Sequence, residues 1–270
     1  MHACRRKSPD GELTALEKDM ARTSALPTTP LTVTASVQLT SCIREITFTG
    51  DLTNIEYPGW DAFLFFFVPK TGERLPDGFS MAAWRRMEEA EKPGGAYYTI
   101  RSFGETELVC WFVVHDVFGA VSDWAGRSQP GDEVYAWGPR VAFAPKGADT
   151  HYLLLADETA LGAVAAVMDQ LPATATVTLI AEVSDETSRV NVRCEPHWGV
   201  HWLYRHDTGP GSSEAPIEFA KSMQRPSGDD VYVYAAMEAE QTQKLKKVFK
   251  QEWGLSGQQI RCIGYWRLHK

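Results

Sequence analysis

From Leu31 to Leu39 apolar residues fall on every second position: Leu31, Val33, Ala35, Val37 and Leu39 alternate with Thr, Ser and Gln. A period of two marks a strand with one buried face. The same reasoning predicts strands over residues 46–49, 63–68, 97–103, 107–115 and 133–137. Turn formers separate them, among them Gly50-Asp51, Pro58-Gly59, Gly72, Pro93-Gly94-Gly95 and Pro130-Gly131-Asp132. Many strands joined by short turns predict a barrel or a sandwich. One helix interrupts them over residues 80–91, with Ser80 as its cap and Met81, Trp84 and Met87 on one face.

After Pro145-Lys146-Gly147 the pattern changes. Residues 151–156 and 177–183 are continuous apolar runs, and 231–236 is a third. Val200, Trp202 and Tyr204 alternate. Helices are predicted over 159–171, with Leu161, Val164, Ala165, Met168 and Leu171 on one face, and over 238–253, ended by Gly254. Residues 207–230, rich in Gly, Pro and Ser, read as one long connection. Apolar strands alternating with helices predict a parallel sheet covered on both faces. The expected organisation is an N-terminal arm over 1–28 with a short helix near 13–20, a barrel domain over 29–146 and an α/β domain over 147–270.

Composition narrows the functions. A formal net charge of -8 argues against nucleic acid, because phosphate binding needs a dense basic face. The five cysteines have no C-x-x-C spacing, which points to reduced thiols rather than a zinc or iron–sulfur site, and to the cytoplasm. Arg5-Arg6-Lys7 is not followed by an apolar run, so no signal peptide is read, and the apolar stretch at 62–68 is far too short to span a membrane.

Four segments carry candidate chemistry. Tyr97-Tyr98-Thr99-Ile100-Arg101 follows a Gly-Gly turn. It is either an amphipathic strand with surface aromatics or a site where Tyr98 stacks on a flat ring, Thr99 meets its edge and Arg101 supplies charge. Residues 115–125 pass from a strand ending at His115 through a turn at Gly119 to a helix start at Ser122. This is either a Ser-capped surface helix or an anion site suited to a pyrophosphate. Asp157, Glu158 and Thr159 form the first strand-to-helix turn of the α/β half, where open sheets bind ligands; a plain capped helix start is the alternative, and the G-x-G-x-x-G fingerprint is absent. His197 and His201 stand four apart, but Gly199 and the alternation around them favour a strand over a metal site.

Taken in order, these segments resemble the siderophore-interacting proteins, FAD-containing and NAD(P)H-dependent ferric-siderophore reductases related to ferredoxin reductases. The resemblance spans about Leu31 to Lys270. It rests on Arg44 to Leu52, Tyr98-Thr99-Ile100-Arg101, His115 to Ala125, Pro130-Gly131-Asp132, Gly138-Pro139-Arg140, Leu153 to Leu161, Trp202-Leu203-Tyr204-Arg205 and Gly264-Tyr265-Trp266-Arg267. It implies an antiparallel Greek-key flavin-binding barrel followed by a parallel-sheet nicotinamide-binding-type domain. It further implies that Tyr98 and Thr99 hold the flavin ring. His115, Gly119, Val121 and Ser122 would hold its ribose and pyrophosphate, and Thr159 would meet NADPH or NADH. Arg140, Trp266 and Arg267 would border the open face where a ferric siderophore docks.

The chain also departs from the family pattern. Ala96 stands where Arg is usual, Phe63 and Phe65 where His and Lys are usual, and Met237 where Gly is usual. Gly162 replaces a Pro and His269 a terminal Gly. Each lost basic contact removes about 1.5–3 kcal/mol of binding to a phosphate or carboxylate. A second reading follows: a repurposed member that keeps the fold and acts on an apolar small molecule in natural-product biosynthesis, non-redox or with FAD or NAD(P)H use lost. In that reading Phe63 and Phe65 line the pocket together.

Overall fold

The computed structural model describes residues 25–70, 73–114, 119–147, 149–226 and 230–268; the N-terminal arm, including the predicted helix, falls outside these. Six antiparallel strands close a barrel: β1 (Thr29–Gln38), β2 (Ile43–Gly50), β3 (Phe63–Val68), β4 (Gly94–Phe103), β5 (Leu108–Val113) and β6 (Glu133–Arg140). Their order, β1-β2-β5-β4-β3-β6, is a Greek key. The alternation read from the sequence sets the interior. Leu31, Val33, Ile46, Phe48, Leu64, Phe66, Ile100 and Phe112 are all buried in one cluster. Phe66 lies 5.4 Å from both Phe48 and Phe112, and Phe48 lies 6.0 Å from Phe112, the spacing of inclined ring contacts.

Two helices decorate the barrel. α1 (Met81–Arg86) starts at Ser80, whose side chain accepts from the Ala83 amide, and ends five residues earlier than the predicted Glu91. α2 (Ala120–Arg127) caps the barrel between β5 and β6.

The second half is a five-stranded parallel sheet of order β11-β10-β7-β8-β9. Its strands are β7 (His151–Ala156), β8 (Thr176–Val183), β9 (Gly199–Tyr204), β10 (Val231–Glu238) and β11 (Ile260–Trp266). α3 (Leu161–Gln170), α4 (Ala215–Ser222) and α5 (Ala239–Gln251) cover it. α4 lies inside the stretch read as one long connection, and β11 has no period of its own. Both escape a pattern argument because their neighbours, not their spacing, hold them.

α3 differs from its prediction in an informative way. Instead of one apolar face, every residue from Leu161 to Met168 is buried. The helix lies between the sheet and the outer wall of the barrel, so one continuous core runs from Leu154, Leu179 and Tyr234 through α3 to Ile43 and Trp111. Gly162 faces Trp111, where an added Cβ would sit 3.5 Å from the Trp111 Cβ. A second anchor joins the halves: buried Asp61 accepts from the amides of Ala142 and Phe143 at 2.9 and 2.8 Å and from the Tyr234 hydroxyl at 2.7 Å.

Candidate functional site

The barrel opens on one side. β4 pairs with β3 along residues 94–99, but with β5 only between Ile100–Phe103 and Leu108–Cys110. Beyond Ile100 and Cys110 the two strands diverge, and Tyr98 meets Phe112 across the gap with ring centroids 4.2 Å apart. Burial pushes the Tyr98 phenol far above its ordinary range, so it stays protonated. The lower end of the gap meets the start of α2. Gly119 is its N-cap with φ +103° and offers no side chain to cap the first amides. A Cβ on Gly94 would come 2.5 Å from the Ala120 Cβ, so only glycine lets β4 approach this helix start so closely. An opened strand edge beside a helix start whose N-cap is glycine is a cradle for a flat ring carrying an anionic tail. The residues present fit a flavin dinucleotide.

Within this cradle three residues take different places from those expected. Ser122 is the third residue of α2, not its cap, and its hydroxyl turns back to donate to the Val113 carbonyl at 3.0 Å. Val121 is buried in the barrel core, so it offers the mouth only its backbone. Arg101 is the bulged residue of β4, and the bulge re-aims it away from the barrel mouth. It pairs with Asp169 of α3 at 2.5 Å and lies over the Trp111 ring at 5.1 Å, so it is a junction residue rather than a phosphate ligand. His115 lies outside the described residues.

The outer face of the barrel explains the two phenylalanines. In register, Phe63 lies beside Thr99 and Arg140, and Phe65 beside Tyr97 and Trp137. Residues opposite each other in antiparallel strands share a face. The second row is covered: Trp84 of α1 packs on Phe65 at 5.1 Å and Tyr97 at 4.8 Å, leaving Phe65 6% exposed. Phe65 therefore fills a satellite core with Phe67 and Met81 and does not line a pocket. In the first row Phe63 and Arg140 stay partly exposed, while Thr99 is buried. Phe63 is half-buried against the edge of exposed Tyr97, and Arg140 lies over the Trp137 ring at 4.8 Å.

The carboxyl end of the parallel sheet is the second crevice, since the strand order reverses at β7. Here the chain fills its own helix starts. Asp157 Oδ1 accepts from both the amide and the hydroxyl of Thr159 at 2.9 and 2.5 Å, and Asp157 Oδ2 accepts from Trp266 Nε1 at 2.7 Å. Glu238 accepts from the Glu240 and Gln241 amides at the start of α5. Glu158, buried, pairs with Arg205 at 2.7 Å. Burial, the leading cause, pushes Asp157 up to about 6 and Glu182 up to about 7. A pyrophosphate would have to displace caps of its own sign. The crevice does not fit a nicotinamide dinucleotide bound at a helix start, and Thr159 is committed to its own turn. Trp266 is a strut between β11 and this turn rather than an open pocket wall, while Arg267 is exposed at the rim.

Sequence reasoning missed a buried polar contact between the two halves. The Tyr265 hydroxyl of β11 lies 3.0 Å from the Tyr234 hydroxyl of β10. Tyr234 then reaches Asp61. Tyr265 stood in a recognised segment and Asp61 did not, and nothing in their spacing, 204 positions apart by number, joins them. His197 is hydrogen bonded to the Ala175 carbonyl at 2.9 Å and His201 packs on Phe219. Among the described residues no three His, Cys, Asp or Glu side chains gather as for a metal. Among the same residues no helix is long and apolar enough to cross a membrane.

Two family profiles match the chain: one described as "Siderophore-interacting FAD-binding domain" over residues 32–143 and one as "Siderophore-interacting protein" over residues 149–269. The crystal structure of a siderophore utilization protein from T. fusca is 28% identical, with TM-score 0.78 over 91% of this chain and 95% of that one. Ferric acinetobactin reductase of Acinetobacter baumannii is 24% identical over 65% of this chain and 62% of its own length. Ferredoxin-NADP+ reductase from Plasmodium falciparum, 12% identical with TM-score 0.66 over 88% and 96% of the two chains, shares the fold.

Proposed function

Because the chain belongs to the siderophore-interacting protein family, we propose that it binds FAD in the barrel mouth and passes electrons to a small-molecule acceptor on the row formed by Phe63, Thr99 and Arg140. The observation that carries this reading is the parting of β4 from β5 beside the start of α2 at Gly119. Residues 29–146 are then the flavin domain and 147–270 the partner domain. Tyr98 and Phe112 line the opening for the ring, Thr99 stands at its edge, and the amides of α2 face the anionic tail. Bound FAD would supply a carrier that takes up an electron pair and can release electrons singly. The protein's part is to hold that ring at the opening and keep water from its buried side.

The acceptor row has one cation, Arg140, beside the aromatic edges of Phe63 and Tyr97. A ligand that is largely apolar with one acidic group matches it better than a polyanionic iron chelate. Burying one aromatic face there contributes about 1.5–3 kcal/mol, comparable to the ionic contact the family's lysine would make. This favours an acceptor outside the strongly acidic ferric siderophores, and keeps open a biosynthetic substrate on the same row.

Reconstitution with excess FAD followed by gel filtration tests the cofactor. Flavin should co-elute at one per chain, and its absence would remove the reading. A ligand panel on the wild type and Phe63→Lys tests the acceptor: the variant should gain anionic ferric chelates and lose neutral aromatic ligands. Equal behaviour of the two proteins would shift the docking surface elsewhere.

A further inference from the structure

Four buried side-chain polar atoms among the described residues have no hydrogen-bond partner: Arg101 Nε, Glu182 Oε1, the Tyr204 hydroxyl and Gln241 Oε1. Leaving a polar atom buried and unpaired costs free energy, so such atoms mark places where another group belongs. Two of the four share one face at the carboxyl end of the parallel sheet. Along β8, Leu179, Ala181 and Val183 face the core shared with the barrel, while Ile180 faces the opposite core, under α4 and α5. Glu182, two residues after Ile180, takes that same side. Gln241 stands one turn before Leu245 of α5, which lies in the same core. Glu182 and Gln241 are 1% and 2% exposed. Tyr204 packs with Val200 and Trp202 on the other face.

Residues 207–214 run across this end as a strap. Gln241 Nε2 donates to the Ser213 carbonyl at 2.6 Å, which fixes the amide so that its oxygen is the unpaired atom. Gly211 lies so close to Glu238 and Trp266 that an added Cβ would come 2.9 Å from each. Counting donors shows what is missing. Asp157 accepts from Thr159 and Trp266, and Glu238 from the amides of Glu240, Gln241 and Leu268. Glu158 accepts from the Ser184 amide and pairs with Arg205. Lys244 is paired with Glu214. Glu182 Oε1 is the carboxylate oxygen left over, with Gln241 Oε1 as a second acceptor. Both atoms only accept, and one belongs to an anion. The group that satisfies them carries positive charge and N–H donors together.

We propose that this end of the sheet binds an organic cation bearing N–H donors, a primary ammonium or a guanidinium, held by Glu182 and Gln241 beneath the strap of residues 207–214. The site is separate from the barrel mouth and does not rest on the FAD reading. The carboxylates that turn a pyrophosphate away from this crevice are the ones that favour a cation in it.

The test is isothermal titration of the full chain with four probes. n-Butylammonium and n-butylguanidinium carry both charge and N–H donors. Tetramethylammonium carries the charge without a donor, and n-butanol a donor without the charge. At pH 8 Glu182 is ionised, above the value of about 7 to which burial raises it. At least one of the first two probes should bind, at least about tenfold more tightly than either control, the gain of one charged hydrogen bond. Whichever of the two binds more tightly names the class. Glu182→Gln keeps the shape and removes the charge. It should weaken that probe about tenfold and abolish its preference over n-butanol. Equal response to all four probes overturns the proposal, as does unchanged affinity in Glu182→Gln. No response to any probe overturns it too, and leaves water to satisfy the two oxygens. If Glu182→Gln does not fold, the ranking of the probes on the wild type still decides. No readout involves flavin, so a chain that binds no FAD overturns the functional reading and leaves this result standing.

Discussion

The two halves of this protein use one device in opposite ways. In each, a strand runs out and a helix begins, exposing amides that attract an anion. In the barrel half, the N-cap of α2 is Gly119, which brings no side chain of its own to the helix start. In the sheet half, Asp157 and Glu238 close the corresponding positions with carboxylates from the chain itself. A helix start is therefore not an anion site by being a helix start. What matters is whether a neighbouring side chain has already taken the amides.

The sharpest way to break this contrast is to fill the open start. Ala120→Asp places a carboxylate at the first position of α2, an exposed site that tolerates it and whose dipole welcomes it. FAD affinity should fall about a hundredfold, ~2.7 kcal/mol, while thermal stability holds or rises; fluorescence titration of FAD measures the first. An unchanged affinity would place the phosphates elsewhere. In the opposite direction, Ala96→Arg restores a cation near the same cradle and should tighten FAD about tenfold, ~1.4 kcal/mol, the low end for a charged hydrogen bond. If it weakens FAD, the ring of Tyr98 rather than the phosphate end limits binding.

The sheet half predicts a pH dependence. NADPH and NADH should bind weakly at pH 8 and more tightly toward pH 6, because Glu182 and Asp157 gain protons near 7 and 6 and stop repelling phosphate. Isothermal titration at the two pH values should show a gain of about three- to tenfold, up to ~1.4 kcal/mol. Equal, tight binding at both would mean the caps are displaced at little cost. The smallest effect concerns stability. Glu182 is buried and one of its oxygens has no partner. Burial raises its folded-state value to about 7, above the unfolded one, so its favourable contribution exists at acid pH and is lost as pH rises through 7. Glu182→Gln should therefore raise Tm by a few degrees at pH 8, about 1 kcal/mol, and leave it unchanged at pH 5. A gain equal at both pH values would show that charge is not the cause.

Alternation and apolar runs settled both architectures, because each strand's faces are imposed by what it must bury, and that is written residue by residue. Ten of the eleven strands among the described residues lie where those patterns pointed, and the Ser80 cap followed from local chemistry alone. The strand that carries Tyr98 and Thr99 was likewise legible from its alternation, and the turn before α2 from Gly119. The roles of Arg101, Ser122 and Phe65 were not. Arg101 is turned by a bulge toward Asp169, Ser122 is claimed by the Val113 carbonyl, and Phe65 is covered by Trp84, and each partner comes from another element. The contact of Asp61 with Tyr234 and Tyr265 lies furthest from sequence reasoning, because it depends on which groups meet across the two domains. Sequence by itself determined which residues are apolar, which can turn and which can cap. Only the tertiary structure decided which polar groups already have partners, and so which remain free to bind.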